Sequence, residues 1–338
     1  MNTAIAAALM VFAMSGLVAA QAGPAASPGE RSGEPPLEGP VGTTRVLKWK
    51  DGKKAAFFLA FDDSCPTHLK LVIPELKKRG MGGTFYVIAG SGLFKDQKDW
   101  VQAAKEPRIE LGNHTWLHKA ITSVIQFDEE VARANEAINQ YVPGRKQPRL
   151  ISFGQPGGVE WKITQQEKQE VLAKHHLIER PSFFGPPIHL KTAAEITKHI
   201  DTTIAGGEAG HLDFHGVGGD WLTTPMEQFT ALLDKLESCR DELWITDAIS
   251  CHKYAAERKS AEIKIVQADG KEVHIALSSQ ADPGLYDMSL TLQSKVPAEW
   301  KKCLVSQGPA QVTATVVDGR VQYEATPGSS PIVLQAAD

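Results

Sequence analysis

From Arg45 to Arg258, short apolar runs alternate with amphipathic segments of helical period. No other property of the 338-residue chain restricts its fold as strongly. "AAFFLAF" (55–61), "GGTFYVIAG" (82–90), "RIELGNHT" (108–115), "RLISFG" (149–154) and "HLDFHGV" (211–217) read as strands. Between and after them, "THLKLVIPELKKRG" (67–80), "DEEVARANEAINQYV" (128–142), "QQEKQEVLAKHH" (165–176), "TAAEITKHI" (192–200) and "MEQFTALLDKLESC" (226–239) read as helices, the first closed by Gly80. Strands that alternate with helices pair in parallel, with the helices outside. The expected fold is therefore α/β, a distorted (β/α) barrel over residues 45–258. After Arg258 the period changes to two: "EIKIVQADGKEVHIAL" and "QVTATVVDGRVQYEA" each alternate about an Asp-Gly turn signal. A small antiparallel β-domain is expected over 261–335. It holds few aromatics able to stack on sugar rings (Tyr286, Trp300, Tyr323), so a packing role is expected of it.

The beginning of the chain reads differently. "MNTAIAAALMVFAMSGLVAAQAGPA" has an apolar stretch over 4–20 followed by small residues suited to a signal peptidase, at Val18-Ala19-Ala20 or Ala20-Gln21-Ala22. A signal peptide over 1–22 and export to the periplasm or beyond the cell are expected. Residues 23–44, dense in Pro and Gly, read as a linker. No later segment is apolar enough to span a bilayer, so no stable membrane insertion is expected. The net charge of −4 carries no basic excess, which argues against a nucleic-acid partner. Cys65, Cys239, Cys251 and Cys303 are even in number, and an oxidising compartment would permit bridges; four cysteines allow three pairings, and free buried thiols fit equally well. Oligomeric state is not legible.

Three strand ends carry reactive groups. "AFFLAFDDSCPTHLK" (56–70) finishes a buried run with two adjacent carboxylates, Asp62 and Asp63, which repel each other and lose solvation there. "GNHTWLHKA" follows the strand "IEL" with His114 and His118 four residues apart, a spacing that on a helical turn sends both imidazoles to one face. His215 follows "HLDF". In α/β barrels, residues just past strand C-termini converge on one mouth. One carboxylate and two imidazoles form a three-ligand set for Zn²⁺ or a similar divalent cation. Such an ion offsets the repulsion between the acids and lets the second carboxylate act as a base.

The succession "FDD", "HTWLH", a strand ending near Pro-Gly, then "LDFHG" resembles the polysaccharide deacetylases, the NodB-homology group of carbohydrate esterase family 4. "LWITDAISCHKYAAER" (243–258) is similar to the closing strand and helix of secreted bacterial members. The resemblance implies an exported hydrolase that removes acetyl groups from an acetylated carbohydrate. It makes Asp62 the catalytic base, Asp63, His114 and His118 the metal ligands, and His215 the general acid. "SFGQPGG" aligns with the family's third motif, so Gly157 would offer a backbone N–H to the oxyanion. The Arg that often holds the catalytic Asp is missing there: Phe153, Gln155 and Gly157 stand instead, and Ser64 replaces a common Gly after the acid pair. Asp213 and Trp221 flank His215 out of the family's order, and Asp213, two residues away on a strand, is expected on His215's face.

Other readings stay open: a small N-acyl or O-acetyl substrate for the same machinery, or a carbohydrate-binding protein without activity. His175, His176 and His199 are expected on solvated helix faces, His68 at a helix surface with an outer-shell place near the acid pair as the alternative, and Trp116, Trp161 and Trp221 in core or cleft-lining positions. A nucleophilic role for Cys65 lacks a matching base.

Overall fold

A computed structural model describes residues 34–95, 98–142, 144–328 and 330–337. The expected signal peptide lies outside them. The strands are β1 (Thr44–Val46), β2 (Ala55–Asp62), β3 (Gly83–Val87), β4 (Ile109–Asn113), β5 (Ile151–Phe153), β6 (Leu177–Glu179), β7 (Ala209–Phe214), β8 (Leu243–Thr246), β9 (Ala261–Ala268), β10 (Glu272–Ser279), β11 (Leu290–Lys295), β12 (Lys302–Gln307), β13 (Ala310–Val317), β14 (Arg320–Ala325) and β15 (Ile332–Ala337). The helices are α1 (Ile73–Lys78), α2 (Gly92–Lys95), α3 (Asp99–Ala103), α4 (Val124–Tyr141), α5 (Gln165–Lys174), α6 (Ala193–Gly206), α7 (Met226–Ser238) and α8 (Ala248–Lys259).

Strands β2 to β8 form one parallel sheet in the order β6-β5-β4-β3-β2-β7, with β8 beside the start of β2. Between β6 and β7 the curve is bridged by an extended segment: Arg180 N donates to Phe153 O and Asp213 N to Phe184 O. The result is the distorted (β/α) barrel that the alternation implies. Helix starts follow local chemistry. Thr164 and Thr192 cap α5 and α6 with Glu167 and Glu195 reaching back, reciprocal bonds that satisfy otherwise orphaned backbone donors.

Every residue of β2 is buried, and its two faces serve different cores. Phe57, Leu59 and Phe61 point into the barrel core with Phe85, Phe153 and Phe214. Ala56 and Phe58 point the other way, into a cluster with Trp49, with Cys251 and Tyr254 of α8, and with Ile275, Leu292 and Leu334 of the second sheet. That sheet has eight strands, all paired antiparallel, in the order β1-β11-β14-β13-β12-β15-β10-β9. It curls nearly shut, β1 approaching β9, so that a Cβ on Gly42 would meet Ala268 and Ile265. Burial at both faces of β2 and around α8 makes the β-domain a packing partner, as its sequence indicates.

Two details differ from the sequence pattern. β1 pairs with β11, so the described chain passes through the C-terminal sheet before entering the barrel. Residues 34–43, in the Pro/Gly-rich segment, run along that sheet: Glu34 Oε1 accepts from Lys48 N, Pro35 O from Arg45, and Gly42 N donates to Lys295 O. The two Asp-Gly turns also diverge. Asp318 and Gly319 both have positive φ, as a two-residue hairpin requires, whereas Asp269 accepts from Lys271 N and Glu272 N in a side-chain turn.

Candidate metal centre at the barrel mouth

The strand ends of β2, β4 and β7 bring their groups together. Asp63 Oδ1 lies 3.2 Å from His114 Nε2 and 3.4 Å from His118 Nε2. Its Oδ2 accepts the Trp221 indole N–H at 2.8 Å and lies 3.6 Å from His215 Nε2. One donor atom from each of Asp63, His114 and His118 falls within 4.8 Å of the others. Asp62, His215 and these three residues thus meet where strand-end reasoning put them.

The loop after β4 reaches this arrangement by another route than the spacing implies. Residues 114–118 form no helical turn. Asn113 Oδ1 accepts Thr115 N, Thr115 Oγ1 accepts His118 N, and Thr115 and His118 both have positive φ. These local bonds compete with helix formation and win. Left-handed backbone in non-glycine residues costs free energy that surrounding structure must offset. It gathers here, at Asp63, Ser64, Thr115, His118, Asp220 and Leu222.

The donor chemistry fits a cation. His114 Nδ1 lies 2.7 Å from Gly154 O, and a carbonyl only accepts, so Nδ1 carries the proton and Nε2 presents a lone pair. That lone pair faces Asp63 Oδ1, which is buried without a hydrogen bond. Two acceptors aimed at one point repel unless positive charge lies between them. Burial disfavours a proton on His114, yet the Asp62 and Asp63 charges outweigh it and raise its pKa. For Asp63, burial opposes ionisation, but the neighbouring imidazoles His114 and His215 and the Trp221 N–H hold the carboxyl well below its usual range. The site attracts positive charge.

Asp62 has different company. Its Oδ2 accepts from Arg180 Nη2 at 2.6 Å, while Oδ1 is buried without a hydrogen bond. Burial raises its pKa against the pull of Arg180. Arg180, the residue after β6, also reaches Asp213 with Nη1 at 2.8 Å and lies over the Tyr86 ring. The cation missing from "SFGQPGG" is thus supplied from the next strand end. Gly154 makes room for it: an added Cβ would stand 3.0 Å from Arg180 Nε and 2.9 Å from Tyr86. The sequence signal was present in "LIERPS", an Arg at a strand end, but nothing local tied it to the acids.

The remaining candidates take the following places. Asp213 serves Arg180, His211 (3.2 Å) and Phe184 N (2.7 Å), so its charge is taken up away from His215, whose ring lies against Phe183. His68 is fully buried, and His175 and His199 are partly buried, His175 on Asp128 and His199 against Phe184. Burial raises the Cys65 thiol pKa, and Sγ points at Asp62 O. All four cysteines are free and buried. Trp161 packs on Phe127 and Phe153, and Trp116 lies beneath Arg133. Gly157 sits in an exposed turn after β5, with open space where a side chain would project.

The fold and site together define a class: an α/β barrel with two imidazoles and two carboxylates gathered at its mouth, a candidate metal centre. Residues 50–177 match the polysaccharide deacetylase family model. Among curated proteins the chain is similar to a gellan lyase of Bacillus sp, 21% identical over 350 residues. That match covers 88% of this chain and 13% of the relative, so the chain spans a small part of that protein's length. Solved structures similar to it include a family 4 carbohydrate esterase from Streptomyces lividans in complex with acetate (TM-score 0.40, 17% identity, 59% of this chain and 95% of that one). Another is the peptidoglycan deacetylase PdaC from Bacillus subtilis (TM-score 0.39, 16% identity, 59% and 90%).

Proposed function

We propose that this protein is an exported, metal-dependent deacetylase of an acetylated polysaccharide or oligosaccharide. One observation carries the reading: the unsatisfied Asp63 Oδ1 facing the Nε2 atoms of His114 and His118. Asp63, His114 and His118 would hold a divalent cation, with Zn²⁺ suited to a His₂-carboxylate set. When bound, it supplies Lewis acidity to water and to the acyl oxygen. The chain's own groups do the rest. Asp62, with Oδ2 fixed by Arg180 and Oδ1 free, takes the proton from the attacking water. The Gly157 N–H adds a donor to the developing oxyanion. His215 returns a proton to the departing amine or alcohol. Its Nε2, 3.6 Å from Asp63 Oδ2, lies across that carboxylate from the two ligand imidazoles.

Export rests on the first 22 residues. No helix among the described residues is long and apolar enough to cross a membrane. The test is acetate release from chitin oligomers, peptidoglycan fragments and acetylated xylan, after chelation and again after Zn²⁺ is restored. Release that follows the metal and disappears in Asp62→Ala is expected. Absence of release from every glycan despite bound Zn²⁺ would overturn the proposal.

A further inference from the structure

Beyond the paired acids, the chain passes Pro66 and enters a π-helical turn, His68–Val72. Single π turns are uncommon and gather at functional sites. This one turns His68 inward, although sequence alone puts it on a helix surface. The ring is fully buried, with Phe61 and Phe85 each 5.5 Å away, edge-on. Its Nε2 lies 2.8 Å from the carbonyl oxygen of His215. Because a carbonyl only accepts, Nε2 carries the proton. Nδ1 is then a bare acceptor, and it is buried without a partner. An orphaned buried acceptor is costly, and a phenyl ring would fill the same space without it. What histidine adds is one N–H directed at the His215 backbone. Burial keeps the ring neutral, its pKa pushed down to about 4.

Thr67 works on the same loop. Its Oγ1 accepts Val217 N at 3.3 Å, and its N–H donates to Asp220 Oδ2 at 2.7 Å. Asp220 precedes Trp221, whose indole holds Asp63. Two consecutive residues downstream of Asp62 and Asp63 therefore grip the loop after β7 at His215, Val217 and Asp220.

We propose that His68, assisted by Thr67, is a positioning residue that latches the His215–Trp221 loop to the Asp62–Asp63 loop and keeps acid and base in register. His68 touches neither substrate nor metal; it acts through the His215 main chain. The catalytic side of this role rests on the function proposed above, whereas the latch itself is testable without substrate.

His68→Phe preserves the packing and removes the N–H, and His68→Gln restores a donor at similar reach. For His68→Phe, kcat is expected to fall about 10- to 100-fold, the range typical of lost supporting hydrogen bonds, with KM and Zn²⁺ affinity little changed. His68→Gln should recover most of it. Amide hydrogen exchange should quicken over residues 215–222 in His68→Phe and stay slow in β2 to β4. Unchanged kcat and unchanged loop protection would overturn the proposal. So would a fall in kcat that tracks lost Zn²⁺ affinity and melting temperature and is not rescued by Gln, because His68 would then be core filling. If the wild type releases no acetate, the proposed function fails, and the exchange experiment still decides the latch.

Discussion

Arg180→Met isolates the cost of the cation buried between two acids. Arg180 and Asp62 are each under a tenth exposed, Asp213 is fully buried, and the contacts are 2.6 and 2.8 Å. At an effective dielectric of about 20, each pair is worth about 6 kcal/mol of direct attraction at such distances. Desolvating three charged groups consumes much of that, so the net worth of the triad is far smaller. Removing only the cation is a different matter: Asp62 and Asp213 stay buried with neither desolvation nor mutual repulsion compensated. A loss of about 3–5 kcal/mol is expected, the range for breaking a buried pair. Against a total stability of roughly 5–15 kcal/mol this is large, and urea unfolding followed by tryptophan fluorescence would resolve it. Adding Asp213→Asn to Arg180→Met removes one stranded charge and should return a substantial part of the loss. Activity should not return with it, because Asp62 Oδ2 would still lack its partner. An Arg180→Met midpoint within experimental error of wild type, or a double variant no more stable than the single, would refute the reasoning.

Two further outcomes follow from the geometry. Gly154→Ala forces a methyl group against Arg180 and Tyr86; it should lower kcat and cost roughly 1–3 kcal/mol, and an unperturbed variant in kinetics and denaturation would show that the guanidinium has slack. Burial of Glu257 on α8, with Asp287 adding to it against Met288 N and Lys253, pushes its pKa up to about 7. The folded state then holds a proton that the unfolded state has released between about pH 4.5 and 7. Stability therefore declines through that window and is flat above it. Glu257→Gln should remove the slope and gain on the order of 2 kcal/mol over wild type at pH 8, and parallel stability curves for the two proteins would contradict the assignment.

How much of this was legible in the sequence varies by element. "AAFFLAF" and "GGTFYVIAG" are apolar on both faces, and strands buried on both sides carry that signature. The reactive residues could be found because each stands next to such a strand, and the barrel topology converts three sequence-distant ends into one mouth. Arg180 was missed because its pairing with Asp62 spans 118 residues and no local pattern encodes it. The shape of "NHTWLH" was misread because a four-residue spacing is also available to a loop whose Asn and Thr side chains bond their own backbone. His68 was assigned to the surface by a 3.6-residue period, which a π turn breaks. The place of β1 was illegible: three residues carry little periodicity, and their partner lies about 250 positions onward.

That last pairing has a consequence for how the chain assembles. Strands β2 to β8 are complete by Thr246, so the barrel can form before the second sheet closes. Thr44–Val46 must wait for Leu290–Lys295, and the outward face of β2, with Phe58, has no cover until the second sheet closes over it. Closing so long a loop is slow relative to local contacts. Throughout that interval the nascent barrel presents an uncovered apolar face, the kind of surface that chaperones hold and that aggregates when they do not. The β-domain thus sets the time at which the newly made protein ceases to be vulnerable.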